Sequence, residues 1–252
     1  MEDAGKSLLS TKPIPPRERL IVALDVDTRE EALALVDRLG DAVSFYKIGL
    51  QLFMAGNYLE LVQELGRRGK HVFVDLKFFD VPETVASAVR QMKDCGARFA
   101  TVHGNDAMLR AACQEKGRSL KLLAVTVLTS LDEGDLRDLG FTVSVEKLVL
   151  SRARRALQVG CDGVISSGLE ARALRGELGE SFLIVSPGIR PVENRLVDDQ
   201  KRVVSVEQAF RNGADYIVVG RPIRNAPDAR AAALAIQRTI AALPFPATPA
   251  AS

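Results

Sequence analysis

Charged side chains follow an apolar run in the first third of the chain. Residues 72–74 are strand formers, and directly after them come Asp75, Lys77 and Asp80. Because alternate residues of an extended strand point to the same side, Asp75 and Lys77 are predicted to lie side by side. Pro82 suits the first turn of a helix, so Asp80 falls in the preceding turn, where helix amides favour an anion. The pattern predicts two carboxylates around one ammonium, with a surface ion pair worth about 0–1 kcal/mol as the alternative.

Asp25 and Lys47 lie at or near the ends of two other apolar runs. With Asp75, Lys77 and Asp80 they give three carboxylates and two ammoniums that are expected to converge. Like charges about 4 Å apart repel by roughly 4 kcal/mol at an effective dielectric constant of 20, so the lysines should separate the acids. Such an array keeps each lysine charged, which favours stabilising an anion or delivering a proton over Schiff-base chemistry. A purely structural charge network is the alternative.

Two segments late in the chain combine glycine with arginine. Gly188 and Arg190 lie in the first, and Gly220 and Arg221 in the second. Glycine allows close approach of the backbone to a ligand, and arginine presents a planar fork that matches phosphate oxygens. These segments therefore favour a phosphorylated ligand. Ordinary surface arginines are the alternative.

Polar residues elsewhere could complete such a site. The long polar segment 192–202, which contains Gln200, is expected to form a mobile lid over the phosphate. Thr129 and Ser130 carry hydroxyls that could bond to a polar ring, although such hydroxyls are more often caps or turn residues. His103 is interpreted as a structural histidine.

Eight apolar runs alternate with helical patterns. The runs are 20–25, 43–49, the run from 71, 99–103, 120–126, 163–166, 182–185 and 216–220. Continuous apolar strands indicate burial on both faces, so the fold class is α/β and the pattern predicts a closed (β/α)8 TIM barrel. A doubly wound sheet is the alternative, but it would usually carry a glycine-rich turn after its first strand, and residues 25–28 contain no glycine. In a barrel, polar residues at the carboxyl ends of the strands face one mouth, and the last two loops commonly bind phosphate.

Length and composition fit one domain. Of the 252 residues, 47% are hydrophobic, which is enough for a substantial core. We expect a flexible N-terminal tail at 1–17, a catalytic barrel at 18–243 and a flexible C-terminal tail at 244–252.

Net charge and the numbers of cysteines and histidines exclude several kinds of binding partner. The net charge of +2 is spread without a basic stripe, which argues against nucleic acid and for a small molecule. No run is long enough to span a bilayer and no signal peptide is evident, so a cytoplasmic protein is expected. Cys95, Cys113 and Cys161 are interpreted as reduced thiols. Two histidines exclude a histidine-rich metal site, while an all-oxygen Mg²⁺ site stays open.

The motifs taken together resemble the orotidine 5′-phosphate decarboxylase family, from about Leu20 to Leu243. They are Val22-Ala-Leu-Asp25, Asp75-Leu-Lys77-Phe-Phe-Asp80-Val-Pro82-Glu-Thr84, Thr129-Ser130, Pro187-Gly188-Ile189-Arg190-Pro191, Asp199-Gln200-Lys201-Arg202 and Val219-Gly220-Arg221-Pro222-Ile223. The resemblance implies conversion of orotidine 5′-phosphate to UMP and CO₂, the last step of de novo UMP biosynthesis, without metal or organic cofactor.

The resemblance also implies a role for individual residues. Lys77 would be the proton donor within an array of Lys47, Asp75, Lys77 and Asp80. Asp25 and Lys47 would contact the ribose, and Thr129 and Ser130 the pyrimidine. The phosphate would be held by Arg190, Gln200, Gly220 and Arg221. Asp80 and Thr84 would reach the site of a neighbouring subunit, which implies a homodimer.

Some residues depart from the family pattern. Phe79 and Glu83 stand where histidine and asparagine are common, and the segment 103–108 is less rich in glycine. Two other functions are considered. One is a metal-dependent sugar-phosphate lyase or synthase of a related barrel family, with Asp75 on Mg²⁺. The other is a catalytically silent protein that binds a phosphorylated ligand.

Overall fold

Eight parallel strands close into a barrel in chain order. The computed structural model describes residues 7–190 and 203–246. Each strand pairs in parallel with the next, and the eighth pairs with the first, as the alternating pattern predicted. The strands are β1 Leu20–Ala23, β2 Phe45–Gly49, β3 His71–Phe78, β4 Phe99–Val102, β5 Lys121–Val125, β6 Gly163–Ile165, β7 Leu183–Ser186 and β8 Tyr216–Val219.

Helices surround the barrel. They are α1 Arg29–Leu39, α2 Leu50–Met54, α3 Tyr58–Arg67, α4 Pro82–Asp94, α5 Asp106–Glu115, α6 Glu133–Asp138, α7 Val145–Gln158, α8 Ala171–Leu178, α9 Val206–Arg211, α10 Arg221–Arg224 and α11 Ala229–Ala241. Thr28 caps α1 by accepting a hydrogen bond from the Glu31 amide.

The helical pattern after β2 is interrupted. The sequence pattern predicts one helix through Leu52 to Arg67, but α2 ends at Met54 and α3 begins at Tyr58. Gly56 and Asn57 between them adopt positive φ angles of 82° and 49°, which a continuous α-helix does not allow. Two helices were not predicted from the sequence: α9, which Ser205 caps, and the short α10.

Alternate residues of the strands divide the core into two layers. One layer fills the barrel and the other packs between strands and helices. The inner residues include Ala23, Phe45, Phe73 and Phe99. Residues two apart on a strand point to the same side. Two positions after these four residues, towards the carboxyl end of each strand, the chain has Asp25, Lys47, Asp75 and Thr101 in that order. The barrel interior therefore changes from aromatic to polar at its mouth.

An ionic cluster anchors the N-terminal segment at the opposite end of the barrel. The fully buried Asp215 accepts hydrogen bonds from Ser10 at 2.5 Å, Lys12 at 3.1 Å and Arg175 at 2.7 Å. Such a buried carboxylate requires partners, and these come from distant parts of the chain. The flexible tail was expected to extend to residue 17, whereas Ser10 and Ile14 within it are buried.

The C-terminal segment is also partly packed. Phe245 lies in the stretch expected to be flexible, yet its ring covers the guanidinium of the buried Arg19 at 3.9 Å and contacts the ring of Phe210 at a centroid distance of 5.4 Å. None of the helices in the described ranges is long and apolar enough to cross a membrane.

Candidate active site

A cavity of about 460 Å³ opens at the carboxyl ends of the strands. Most of the residues singled out from the sequence line it, with contributions from β1, β2, β3 and the loops after β5, β7 and β8. They are Asp25, Lys47, Asp75, Lys77, Thr129, Ser130, Arg190, Gly220 and Arg221. The barrel thus brings together residues nearly 200 positions apart.

Four charged side chains form an alternating row on one side of the cavity. Lys47 Nζ lies 3.0 Å from Asp25 Oδ1 and 3.4 Å from Asp75 Oδ2. Lys77 Nζ lies 3.1 Å from Asp75 Oδ1. The order is acid, base, acid, base, which is the separation of like charges that the Coulomb argument required.

The row keeps its central charges ionised. Burial alone would lower the pKa of Lys47, but Asp75 and Asp25 outweigh it and raise that pKa above its ordinary value. Burial also disfavours the charged form of Asp75, yet Lys47, Lys77 and a hydrogen bond from Thr101 hold the pKa of Asp75 below its usual range. Lys47 is therefore an ammonium and Asp75 a carboxylate at neutral pH.

The backbone at Lys77 is not that of a regular strand. Lys77 has a φ of 50°, in the left-handed region that residues with a Cβ rarely adopt. The pairing of β3 with β4 shifts between Val74 and Phe78, so Lys77 lies in the irregular part of the ladder. Its amide donates instead to Thr101 Oγ1 at 2.9 Å, and the Thr101 hydroxyl donates to Asp75 Oδ1 at 3.0 Å. Sequence analysis missed Thr101; its position two residues after Phe99 was the available signal.

Asp80 and Thr84 lie outside this cavity. Asp80 is exposed and its carboxylate accepts the Val81 amide at 2.6 Å. Both line a second, more open depression of about 310 Å³, together with Phe53 and Phe79, and Lys77 borders both this depression and the cavity. The convergence of three carboxylates in one chain was therefore wrong, because the turn after β3 directs Asp80 away from the row.

Glycine and arginine line another part of the cavity. Gly188 has a φ of 76°, which favours glycine there, and Gly220 directly precedes Arg221 at the start of α10. Arg224, which the sequence analysis missed, also faces the cavity and donates to the backbone carbonyl of Asp25. Gln200 and the expected lid lie outside the described residues. Ile189 and Val204, on either side of that gap, form a parallel bridge beside the cavity.

His103 has a structural environment. Its Nδ1 lies 3.1 Å from the Val125 carbonyl, and its ring packs against Phe79 at a centroid distance of 5.2 Å. Burial lowers its pKa, so the imidazole is neutral near pH 7. In the described ranges, no group of three or more His, Cys, Asp or Glu side chains is placed to bind a metal.

Fold and site together define a (β/α)8 barrel protein whose cavity offers ammonium groups and arginines to an anionic small molecule. The sequence matches the family model described as Orotidine 5'-phosphate decarboxylase / HUMPS family over residues 18–236. The chain belongs to this family.

Individual relatives agree with the family match. The chain is 66% identical over 234 residues to an orotidine 5′-phosphate decarboxylase of Methylococcus capsulatus, covering 93% of this chain and 96% of that protein. It is 51% identical to one of Stenotrophomonas maltophilia, covering 92% and 98% of the two chains. A crystal structure of orotidine 5′-phosphate decarboxylase from Lactobacillus acidophilus superposes with a TM-score of 0.80 at 36% identity, covering 89% of this chain and all of that one.

Proposed function

We propose that this protein decarboxylates orotidine 5′-phosphate to UMP and CO₂, the last step of de novo pyrimidine nucleotide biosynthesis. The observation that carries the proposal is the row of Asp25, Lys47, Asp75 and Lys77 in a cavity that also contains Arg190 and Arg221. The decarboxylase relative at 66% identity supports the same reaction.

Lys77 is the proton donor in this proposal. Breaking the bond to CO₂ leaves an electron pair on the ring carbon, and the substrate has no electron sink for it. A positive charge placed there in advance stabilises that pair. A proton then moves from Lys77 Nζ to the carbon, and the resulting amine takes up a proton from water. Asp75 holds the ammonium in place at 3.1 Å.

The remaining contacts of the substrate follow from the positions of the lining residues. Asp25 and Lys47 are assigned to the ribose, and Thr129 and Ser130 to the pyrimidine. Arg190, Gly220 and Arg221 are assigned to the phosphate, with Gln200 joining from the segment outside the described residues. Binding energy from the phosphate can be used to enclose and desolvate the charge row, where each 1.36 kcal/mol directed at the transition state gives about tenfold in rate.

Loss of orotate absorbance on mixing the protein with orotidine 5′-phosphate in EDTA tests the function. Lys77→Ala should lower kcat by about 10²- to 10⁴-fold or more, because it removes both the proton donor and the charge at the reacting carbon. Lys121→Ala is the matched control, since Lys121 is a half-buried lysine paired with Asp162 at the opposite end of the barrel. Normal turnover by Lys77→Ala would exclude the proposed mechanism.

A metal-dependent sugar-phosphate lyase or synthase is the alternative. It would need Asp75 as a Mg²⁺ ligand, but the two oxygens of Asp75 already contact Lys47 and Lys77, and Thr101 donates to one of them. Two adjacent ammoniums repel a divalent cation. Turnover of orotidine 5′-phosphate that survives EDTA excludes this alternative, and tight UMP binding without turnover would instead indicate a silent binding protein.

The active form is proposed to be a homodimer. Large apolar side chains are exposed around Asp80 and Thr84, among them Phe53, Phe79 and Val81. Exposed apolar area of this kind is typical of an interface, and a second copy docked there would carry Asp80 and Thr84 towards the partner's cavity.

A cytoplasmic location completes the proposal. The substrate is a charged nucleotide, and Cys95, Cys113 and Cys161 are free thiols, as in proteins of reducing compartments. Cell fractionation with an activity assay on each fraction tests it; activity confined to a membrane or periplasmic fraction would contradict it.

A further inference from the structure

The hydroxyl of Thr101 connects two parts of the site. It accepts the Lys77 amide at 2.9 Å and donates to Asp75 Oδ1 at 3.0 Å. Thr101 is fully buried on β4, inside the barrel and below the cavity. A hydroxyl has a single proton, and the Lys77 N–H occupies its acceptor side, so that proton is directed to the carboxylate.

The first of these bonds supports an unusual backbone conformation. A residue with a Cβ rarely adopts the left-handed region, and this conformation persists only where its surroundings hold it. At Lys77 the ladder between β3 and β4 is interrupted, so β4 offers a side-chain oxygen where its backbone offers none. The Thr101 hydroxyl is thus the acceptor that holds the Lys77 amide.

The second bond fixes the partner of the ammonium. Asp75 Oδ1 receives both the Thr101 hydroxyl at 3.0 Å and Lys77 Nζ at 3.1 Å. Rotation of this carboxylate would move the point at which Lys77 is anchored. One hydroxyl therefore sets both the backbone from which the lysine side chain departs and the oxygen at which it ends.

We propose that Thr101 is a positioning residue for the proton donor, holding Lys77 Nζ in its reactive place by bonding the Lys77 amide and the Asp75 carboxylate at once. This role rests on the proposed decarboxylation. Thr101 is fully buried and is not among the residues that line the cavity, so its effect passes through Lys77 and Asp75.

The first test compares Thr101→Val with Thr101→Ser. Valine keeps the shape of threonine and removes the hydroxyl, whereas serine keeps the hydroxyl and removes a methyl group. We expect Thr101→Val to lower kcat by about 10- to 100-fold, the factor for one lost hydrogen bond to a charged group, with KM within about threefold. Thr101→Ser should stay within about threefold of the wild type in kcat.

Thr126→Val is the matched control. Thr126 is also fully buried, at the end of β5, and its hydroxyl donates to the Ile165 carbonyl at 2.9 Å, away from the charge row. It therefore loses one buried hydrogen bond with the same change of shape, and kcat should stay within about threefold of the wild type. If it falls as far as Thr101→Val, or if Thr101→Ser falls as far, the positioning role is overturned.

A measurement that does not depend on catalysis tests the positioning role of Thr101 independently of the proposed function. Side-chain carboxyl NMR of Asp75 is followed against pH in the ligand-free protein. Besides Thr101, the groups that face Asp75 are Lys47 from β2, Lys77 from its own strand, Asp25 beyond Lys47, and Tyr58 from α3. All of these stay in Thr101→Val, so a rise in the pKa of Asp75 reports the lost hydroxyl.

Failure of the proposed function and failure of the positioning role give different results. If the wild type does not convert orotidine 5′-phosphate, the proposed function fails, and the titration of Asp75 still decides whether Thr101 holds it. If the wild type is active and Thr101→Val changes neither kcat nor this titration, only the positioning role fails. Should Thr101→Val not fold, Thr101→Cys replaces it, since its thiol is a weak donor and acceptor and the same loss of kcat is expected.

Discussion

Lys77 forms an ion pair with Asp75 and has a left-handed backbone, and the sequence spacing predicted only the first of these. The spacing predicted that both side chains share one side of a strand, and the ion pair of 3.1 Å agrees. It did not predict the left-handed backbone at Lys77 or the bond from its amide to Thr101. A regular strand satisfies backbone amides through its ladder, so an interruption of the ladder is visible only when β3 and β4 are placed together.

The pH dependence of stability should differ between the wild type and Asp75→Asn. The pKa of Asp75 is lower in the folded protein, so its stabilising contribution is complete above the pKa of the unfolded chain, near 3.9, and is lost as pH falls through the folded pKa. Asparagine cannot titrate. Urea unfolding from about pH 2.5 to 6 should therefore show a steeper gain of stability with pH in the wild type.

Above about pH 6 the free energies of unfolding of the two proteins should change with pH in parallel until high pH. Lys47 has a raised pKa in the wild type, and its contribution is present below the unfolded pKa near 10.4 and is lost as pH rises through the folded value. Curves of equal slope in the acid range would show that the pKa of Asp75 is not lowered by folding.

Each strand contributes its residues to the mouth through the same alternation. On β2, β3 and β4, Phe45, Phe73 and Phe99 fill the barrel, and the next inner residues are Lys47, Asp75 and Thr101. At the opposite end, the segment before β1 is held by Asp215 and Arg175. The mouth thus carries the alternating charges that line the cavity, while the opposite end carries charges that connect elements of the fold.

Breaking the cluster at the bottom of the barrel should reduce stability without affecting catalysis. Asp215→Ala leaves Arg175 buried and without its carboxylate and releases Ser10 and Lys12. Removing one partner of a buried pair costs about 3–5 kcal/mol, so thermal unfolding should shift down by roughly 10 °C. Differential scanning calorimetry measures the shift, and kcat of the folded protein should be unchanged.

Glu207→Ala provides the comparison for that variant. Glu207 pairs with Arg211 on the surface of α9, with more than half of its side chain exposed. Exposed pairs contribute little, so its midpoint should remain close to that of the wild type. Equal shifts of the unfolding midpoint for Asp215→Ala and Glu207→Ala would mean that the buried cluster stabilises the fold no more than an exposed ion pair does.

At the scale of the whole molecule, the turn after β3 places Asp80 outside the row that it follows in sequence. Lys77 faces the cavity, whereas Asp80, three residues later, lies on an exposed apolar surface with Phe53 and Phe79. The proposed homodimer gives both Asp80 and this surface a role.

Mixing two inactive variants tests the shared site. Lys77→Ala and Asp80→Ala each damage every site in their own homodimers. A hybrid dimer has one site with both defects and one intact site, so equal mixing with subunit exchange should restore about a quarter of wild-type activity. The assay is the loss of orotate absorbance after exchange. If Asp80 served its own chain's site, every hybrid site would carry one defect and the mixture would stay inactive.

The sequence by itself determined the order of the strands, most of the helices, the barrel and most residues of the cavity. Apolar runs of strand length and charged residues at their ends are local patterns, and Asp25, Lys47, Asp75, Lys77, Arg190 and Arg221 were all found in this way. The family resemblance rested on the same residues.

Only the tertiary structure decided which side of each strand faces the barrel, where Asp80 points, and what Thr101 and Arg224 contact. A strand buried on both faces has apolar residues on both, so its sequence does not distinguish the inside of the barrel from the helix layer. The hydrogen bond between Thr101 and Asp75 depends on the pairing of β3 with β4, and the bond between Asp215 and Ser10 depends on barrel closure, which places β8 beside β1.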